Sequence, residues 1–501
     1  MKISKYLLEI AVFLCGAIVM VFELVGSRVL GPYFGTSIFV WTSLIGIILG
    51  SMSLGYYLGG RLADKDKKAD LKTLAQIIFV ASIFIVTTIL IKEPFLSGVQ
   101  FGIKDMRFGS IFASIFLFSP TGILLGMVSP YAVKLKMENL NSTGRVVGNL
   151  SALSTAGSIT GTFLSGFFLI PALGTDKILL LLAGILVIIS ICLYYKYSLK
   201  YKSILLIIIL FSWVLSGSFK SALEAKGFID VDTAYNRIWI YDYKETKTGN
   251  TVRKMGINNE NHSAMYVGNP ELANVLVNEY TKYYNLVSHF NPNFKQALML
   301  GGAGYSYPKA YLQNFPEAKI DVVEIDPGIT ELARKYFGLT DDPRLQIFHE
   351  DGRVFLNTTP NKYDVIFGDA FSSKYSLPYQ LTTQEAVQKH YDVLNNDGIV
   401  ILNVISSVEG AKGEFLRAEY ATYKSVFPQV LIFPVADFID GTRVQNIILV
   451  ALKSETIPGP NYTDPELDSF LQHLWKTPID MDKPILTDDF APVDYYINKT
   501  I

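Results

Sequence analysis

Long apolar runs dominate the first part of the chain. Seven of them approach or exceed the length of helix that crosses a hydrocarbon core of ~30 Å, which takes about 20 residues. They cover residues 6–25, 39–62, 74–91, 109–131, 150–170, 178–195 and 203–218. After residue 222 such runs stop and shorter patterns begin. The sequence therefore predicts an α-helical membrane domain over residues 1–221.

The loops between these runs predict how the chain crosses the bilayer. Lys and Arg are more numerous on the side that holds the amino terminus, and the positive-inside rule places that side in the cytoplasm. The first run continues through Glu23 without a small-residue cleavage site, so we interpret it as an uncleaved helix. Seven full crossings would place the rest of the chain outside. We therefore expect one run not to cross, either the stretch 151–166, interpreted as re-entrant, or the short last run. The remainder then faces the cytoplasm at the cell membrane.

Residues 222–293 have the pattern of a small β subdomain followed by a helix. Period-two alternation over 233–245 and 251–266 predicts short antiparallel strands, joined by a turn around Lys247. Apolar residues at helical spacing then predict a helix over 271–288. We expect this subdomain to cover the carboxyl edge of the sheet that follows.

The stretch 296–326 has the order of a nucleotide-binding α/β unit. The apolar strand QALML leads into a glycine-rich turn and a helix, and the next strand, within IDVVEID, ends at Glu324. Glycines let the backbone approach a ligand, and an acid about 20 residues further on can accept both hydroxyls of a ribose. The turn residues expected to contact the ligand are Gly301, Gly302, Ala303 and Gly304.

The turn does not fit a dinucleotide. After Gly304 the chain continues with Tyr305, Ser306 and Tyr307, although a dinucleotide fingerprint has a third glycine there. No later segment has the pattern of a pyrophosphate site. An adenosine that carries no phosphate fits better, which points to S-adenosylmethionine or a relative as the ligand.

Acids at the ends of the next two strands extend this site. The strand 345–348 leads to Asp351 and Gly352, where the carboxylate can contact the adenine amine or, alternatively, cap the next helix. The strand 363–368 leads to Asp369 and Ala370, in the crevice where doubly wound sheets bind ligands. Asp369 can accept a proton or orient an amine there, and capping the following loop is the alternative.

The remaining pattern completes the sheet. A polar, proline-containing loop at 372–383 is expected to close over the site. The elements predicted after it are a helix at 384–394 and strands at 399–404, 430–433 and 446–451, the last one antiparallel. The count predicts a seven-stranded, Rossmann-like sheet of the methyltransferase type over residues 294–501.

Composition excludes several other classes of protein. The chain has 501 residues, of which 50% are apolar, and a formal net charge of -1, so it offers no electrostatic reason to expect nucleic acid. Its only cysteines, Cys15 and Cys192, lie in apolar runs, which excludes a disulfide framework or thiolate metal site. The five histidines are scattered without ligand spacing. We expect no metal and no bound prosthetic group.

Four motifs in the second half resemble those of the spermidine synthase family of aminopropyltransferases: GGAGYS, VEID, EDG and YDVIFGD. With the apolar runs in front, the chain looks like the membrane-fused spermidine synthase-like proteins, as do ELVGSRVLGPYFG and LTDDFAPVDYY near its two ends. The resemblance implies that Glu324 binds the ribose hydroxyls and Asp351 the adenine amine. It also implies that Asp369 receives the proton of the acceptor amine.

The chain departs from that family where the family binds amines. Gly304 stands where the soluble enzymes have an Asp that holds the aminopropyl amine, and Ser372 replaces a second such Asp. The Gln of their Tyr-Gln pair appears as Asn236, and their Tyr-His pair as Val277 and Asn278. Each lost charge-assisted bond is worth ~1.5–3 kcal/mol, so discrimination for a decarboxylated donor and a polyamine acceptor should weaken.

Several functions follow from these observations. The first is alkyl transfer, of the aminopropyl type, from decarboxylated S-adenosylmethionine or S-adenosylmethionine to an amine, with release of 5'-methylthioadenosine. An intramolecular S-adenosylmethionine lyase, which needs no acceptor, and a methyltransferase are alternatives on the same fold. A non-catalytic transporter or sensor is a further alternative, because Glu23 is an acid near a membrane boundary, where acids mark ion pairs or transport pathways. The expected partners are a nucleoside donor, an amine acceptor, the lipid bilayer and a second copy in a homodimer.

Overall fold

A computed structural model describes residues 6–65, 69–103, 105–137, 143–196, 198–246, 248–258, 260–370, 377–459 and 464–500. Lys247 in the predicted turn and Ser372 in the predicted loop lie outside these residues. The chain forms two compact units, Met1–Lys226 and Gly227–Ile501. The domain boundary expected after residue 221 falls within the last turns of a helix that ends at Ala225.

The first unit is helical. Its helices are α1 (Leu7–Phe34), α2 (Ile38–Lys65), α3 (Leu71–Gly102), α4 (Met106–Lys136), α5 (Thr143–Leu164), α6 (Ile170–Ala172), α7 (Thr175–Leu193) and α8 (Leu199–Ala225). A π-helical turn, Ser165–Leu169, joins α5 to α6 without a break. Small residues let these helices approach closely: a Cβ at Gly157 would collide with the Phe13 carbonyl, and one at Gly55 with the Ile123 carbonyl.

Six helices in the described part of the first unit are long and apolar enough to cross a membrane by length and composition. They are α1 to α4, the continuous helix Thr143–Ala172, and α7. The predicted class is therefore confirmed with one helix fewer than the seven predicted runs. The stretch 151–166 is uninterrupted helix, which does not fit a re-entrant segment. The last predicted run lies in α8, where the side chains of residues 215–220 are outside the description.

The second unit begins with a four-stranded antiparallel sheet. Its strands, in spatial order, are β1 (Phe228–Asp232), β2 (Arg237–Lys244), β3 (Thr251–Ile257) and β4 (Glu260–Val267). The helix predicted over 271–288 is wrong in its first half. Two short helices, α9 (Glu279–Lys282) and α10 (Val287–Phe290), are joined by a 3₁₀ turn, and Asn278 precedes α9 in an extended conformation. The Asn278 side chain donates to the His262 carbonyl on β4 (3.2 Å), so a tertiary contact holds the point where the expected helix is interrupted.

A seven-stranded sheet forms the rest of the unit, as predicted. Its strands are β5 (Gln296–Leu300), β6 (Lys319–Val323), β7 (Leu345–Phe348), β8 (Tyr363–Gly368), β9 (Leu394–Ser406), β10 (Gln429–Pro434) and β11 (Gln445–Leu452). The spatial order is β10-β11-β9-β8-β5-β6-β7, with β11 antiparallel to both neighbours and the other pairs parallel. This confirms the predicted Rossmann-like, methyltransferase-type class.

Helices cover both faces of this sheet, which is why its central strands are almost continuously apolar. Along β5, Ala297 and Met299 join one core, whereas Leu298 and Leu300 join the other. The covering helices include α11 (Ser306–Asn314), α12 (Pro327–Tyr336), α13 (Gly352–Thr358), α14 (Gln384–Val393), α15 (Glu414–Lys424), α16 (Pro465–Gln472) and α17 (Val493–Thr500). The strand order reverses between β5 and β8, so the crevice of a doubly wound sheet lies at their carboxyl ends.

Candidate active site

The glycine turn after β5 brings two predicted site residues together. Gly301 has a φ of +92°, and a Cβ there would lie 2.5 Å from the Asp369 carbonyl oxygen and 3.1 Å from the Ala370 Cα. Only glycine tolerates both the conformation and the contact. The turn therefore packs directly against the residues that follow β8.

Glu324, at the end of β6, is bonded to that turn. Its Oε2 accepts the backbone N–H groups of Gly302 (2.9 Å) and Ala303 (3.1 Å), and its Oε1 accepts that of Asp326 (3.0 Å). Burial raises the pKa of this carboxyl, while the three N–H donors act in the opposite direction. A carboxylate has about four acceptor positions, so capacity remains for a ribose hydroxyl. The role of Glu324 in ribose binding stays a prediction.

Asp351 caps the amino terminus of α13, and helix capping was the alternative to adenine binding in the sequence analysis. Its Oδ1 accepts the N–H groups of Arg353 (2.8 Å) and Val354 (3.1 Å), which leaves Oδ2 for a further donor such as an adenine amine. A Cβ at Gly352 would lie only 3.5 Å from Leu381 and 3.7 Å from Leu300. Leu381 belongs to the loop 372–383 that was expected to close over the site, and its apolar side chain lies beside Gly352.

Asp369 is the centre of a hydrogen-bonded chain. The Tyr280 hydroxyl donates to its Oδ2 (3.0 Å), and the Asn403 side-chain amide donates to its Oδ1 (3.1 Å). Asn446 in turn donates to Asn403 Oδ1 (3.0 Å). Burial raises the pKa of Asp369, and the bonds from Asn403 and Tyr280 partly offset that rise. The carboxylate is thus oriented, and it is more basic than an exposed aspartate.

Two buried tyrosines lie beside this chain. Tyr284 and Tyr307 stack edge to face, with ring centroids 4.9 Å apart, and both hydroxyls are buried without a hydrogen-bond partner in the part of the chain that the structure describes. The Tyr284 hydroxyl still lies close enough to Asp369 to lower the pKa of that carboxyl. Because its geometry falls short of a regular hydrogen bond, we treat Tyr284 as a nearby dipole.

Two cavities meet at four residues, His262, Asn278, Tyr280 and Asp369, which we call the neck. The smaller cavity, about 30 Å³, extends from the neck along the glycine turn to Ser306 and includes Val277. The larger, about 470 Å³, extends to Asn403, Asn446, Glu260 and Arg443. Both cavities are therefore bordered by the side chains of the neck.

His262 is the neck residue that sequence reasoning missed. Its Nε2 is buried and has no hydrogen-bond partner within the described residues. Burial lowers its pKa to about 4, so the imidazole is neutral at physiological pH. It lies on β4, far in sequence from the acids of the large sheet, and the pattern NHSAMY alone contains no signal that this residue reaches the site.

Gly304 and Asn236, two positions where the chain departs from the soluble enzymes, make different contacts. Gly304 donates its N–H to the Ser263 hydroxyl (2.9 Å), and a Cβ at 304 would lie 2.7 Å from Ser263 Cβ and 3.0 Å from Phe337. An aspartate there does not fit without a rearrangement. Asn236 donates to Asp326 (3.0 Å) and does not line either cavity of the neck. In the ranges that the structure describes, no group of three or more His, Cys, Asp or Glu residues is placed to hold a metal ion.

Comparison with known proteins gives a family match within the second unit. Residues 280–440 match the family model of the spermine/spermidine synthase domain. The chain is 31% identical over 169 residues to a polyamine aminopropyltransferase of Vibrio vulnificus, covering 33% of this chain and 54% of that protein. It is also 29% identical over 189 residues to the mouse eEF1A lysine and N-terminal methyltransferase, covering 36% and 25%.

A solved structure, a probable spermidine synthase from Corynebacterium glutamicum, aligns with 22% identity and a TM-score of 0.41, covering 49% of this chain and 85% of that one. The chain spans about half the length of the Vibrio relative, and the matched segment holds Tyr280, the glycine turn and all three acids of the site. The resemblance inferred from the motifs is confirmed at this level: a segment of the second unit, residues 280–440, is similar to the spermine/spermidine synthase domain, and the described part of the first unit contains six long apolar helices.

Proposed function

We propose that the second unit transfers an alkyl group, of the aminopropyl type, from an adenosylated sulfonium to an amine. The donor is decarboxylated S-adenosylmethionine or S-adenosylmethionine, and 5'-methylthioadenosine is released. The observation that carries the proposal is that Asp369 lines both the cavity along the glycine turn and the larger cavity. The family match supports it.

The proposed roles follow from the contacts. Glu324 and Asp351 bind the ribose and the adenine, and the backbone of the glycine turn lies along the donor, with Gly352 and Ala370 beside it. The amine nitrogen forms a bond to the donor carbon as the carbon–sulfur bond breaks, and the electron pair of that bond goes to sulfur. Asp369 accepts the proton from nitrogen. Because a neutral thioether leaves readily, positioning of the two reactants supplies most of the rate.

The larger cavity favours an external acceptor. It includes Asp369, and its lining combines uncharged amides and apolar side chains with the charged residues Glu260, Glu279 and Arg443. An intramolecular lyase has no use for a second cavity on the far side of its base. The second cavity is therefore an argument for transfer over the lyase.

The test is a product assay with the purified full-length protein. Each donor is incubated with and without 1,4-diaminobutane, and the nucleoside products are identified by mass spectrometry. Release of methylthioadenosine that requires amine supports transfer, and release without amine supports the lyase. No methylthioadenosine from either donor under any condition would overturn the proposal.

Methyl transfer is a second candidate because the chain is also 29% identical over 189 residues to a methyltransferase. The fold would bind the same donor, and only the carbon that faces the neck would differ. The same assay separates the two reactions, since methyl transfer releases S-adenosylhomocysteine and leaves methylthioadenosine undetected.

We also propose that the six apolar helices cross the cell membrane and that the second unit faces the cytoplasm. Six crossings from a cytoplasmic amino terminus return the chain to that side, where sulfonium donors are made. Labelling of single exposed cysteines in the second unit with an impermeant reagent tests this. Labelling in intact cells would contradict it, and labelling only after lysis is expected.

A further inference from the structure

We propose that His262 is a positioning residue for the reacting amine: its imidazole Nε2 accepts a hydrogen bond from the acceptor nitrogen in the neck, while Asp369 takes the proton of that nitrogen. The inference rests on the proposed transfer to an amine. It assigns a new role to a residue that no motif indicated.

The first support is the geometry of the neck. His262 lines both cavities, as do Asn278, Tyr280 and Asp369. In the proposed transfer, the amine occupies the larger cavity and the donor lies along the glycine turn, so the reacting nitrogen comes close to the four residues that the cavities share.

The second support is how the other neck residues use their polar atoms. The Tyr280 hydroxyl donates to Asp369, and the Asn278 amide donates to the His262 carbonyl. His262 Nε2 is different, because it is buried and has no partner within the described residues. Buried polar atoms are nearly always bonded, and an exception calls for an explanation such as a ligand.

The third support is the chemistry of an attacking amine. Its lone pair must point at the donor carbon, so its N–H groups need acceptors elsewhere in the neck. Asp369 offers one acceptor, and its two oxygens already accept bonds from Tyr280 and Asn403. A neutral imidazole offers a second acceptor without adding a positive charge beside an ammonium. Burial, which lowers the pKa of His262 to about 4, keeps it in that form. The role requires the ring proton on Nδ1.

The experiment compares His262→Leu, which removes the acceptor, with His262→Gln, which retains one. We expect His262→Leu to lower kcat with 1,4-diaminobutane by about tenfold to a hundredfold, as a misplaced nucleophile does, and His262→Gln to recover most of that loss. The affinity for methylthioadenosine should be unchanged in both variants. His289→Leu, which removes a buried imidazole of α10, is the matched control and should behave as wild type.

Two results would overturn the role of His262. One is an unchanged kcat in His262→Leu. The other is an equal loss of kcat in His262→Gln and His262→Leu together with weaker methylthioadenosine binding, which would indicate a structural role.

A measurement without turnover separates this proposal from the proposed function. The thermal shift caused by 1,4-diaminobutane in the presence of methylthioadenosine should be present in wild type and reduced in His262→Leu. If wild type shows no such shift, the proposal that an amine binds at the neck is wrong. If the shift is present and depends on His262 but no methylthioadenosine is ever released, only the transfer reaction is wrong.

Discussion

The nucleoside side of the site, which contains Glu324 and Asp351, differs from the neck in how its buried polar groups are hydrogen-bonded. On the nucleoside side, Glu324 accepts three backbone N–H groups and Asp351 accepts two. In the neck and beside it, His262, Tyr284 and Tyr307 each have a buried polar atom without a partner in the described part of the chain. An unmade bond at a buried group costs ~1–3 kcal/mol. The nucleoside side is therefore built into the fold, whereas the neck keeps bonding capacity for reacting groups.

Nucleoside binding and turnover should therefore be separable by mutation. A change on the nucleoside side removes bonds that also hold the glycine turn, so it should affect stability and donor affinity together. A change at His262 Nε2 or at the Asp369 carboxylate alters groups of the neck that the backbone of the glycine turn does not use as acceptors. It should affect turnover and leave the nucleoside in place.

The largest effect is expected for Asp369→Asn. An amide cannot take the proton of the amine, and loss of a positioned base typically lowers kcat by ~10²–10⁴-fold. The nucleoside side is unchanged, so methylthioadenosine should bind with wild-type affinity by calorimetry. Loss of that affinity in Asp369→Asn would contradict the prediction, because it would show that the nucleoside side and the neck do not act separately.

Glu324→Ala tests the other side. The variant leaves the N–H groups of Gly302, Ala303 and Asp326 without their shared acceptor, so we expect it to be ~1–3 kcal/mol less stable. Its affinity for methylthioadenosine should fall about tenfold to a hundredfold, which corresponds to the same free energy. Thermal unfolding and calorimetry measure the two effects. Glu331→Ala, at an exposed position of α12, is the control, and equal behaviour of the two variants would contradict the prediction.

The nucleoside side could be predicted from the sequence because its signals are local. The apolar strand β5, the glycines after it and the acids after β6, β7 and β8 follow one another along the chain in the order of a known sheet. The neck could not be predicted in this way. His262 comes from the antiparallel sheet and Tyr280 from a four-residue helix, and their meeting depends on contacts between distant segments.

The errors have the same cause. Helical spacing over 271–288 was a real pattern, but the bond from Asn278 to the His262 carbonyl favours an extended residue where the helix would continue. The packing of Ser263 and Phe337 around Gly304 also could not be predicted from the sequence pattern. Hydrophobic periodicity predicts which face of a helix or strand is apolar. It does not predict which polar groups will form hydrogen bonds with a neighbouring element.

Tyr280→Phe should shift the pH dependence of kcat/KM and leave nucleoside binding unchanged. The Tyr280 hydroxyl donates to Asp369 and lowers the pKa of that carboxyl, so its removal raises the pKa further. A carboxylate base is active above its pKa and is lost as the pH falls through it. The acid limb of kcat/KM should therefore move to higher pH in Tyr280→Phe, while methylthioadenosine affinity stays constant. An acid limb at the wild-type position would mean that Asp369 is not the group that titrates.

The smallest effect is expected for Asn446→Ala, which lies one bond further from the reaction. Asn446 donates to Asn403 Oδ1, and this bond fixes Asn403 with its amide NH₂ directed at Asp369. Without it the Asn403 side chain can rotate by half a turn and present its oxygen to the carboxylate, which weakens the orientation of the base. A hydrogen bond of this kind is worth ~0.5–1.5 kcal/mol, so kcat should fall about twofold to tenfold.

Asn446→Asp removes the donor and adds a negative charge near Asp369. It should lower kcat more than Asn446→Ala does and move the pH profile to higher pH. If both variants match wild type in kcat and pH profile, the hydrogen bond from Asn446 to Asn403 does not help to orient Asp369.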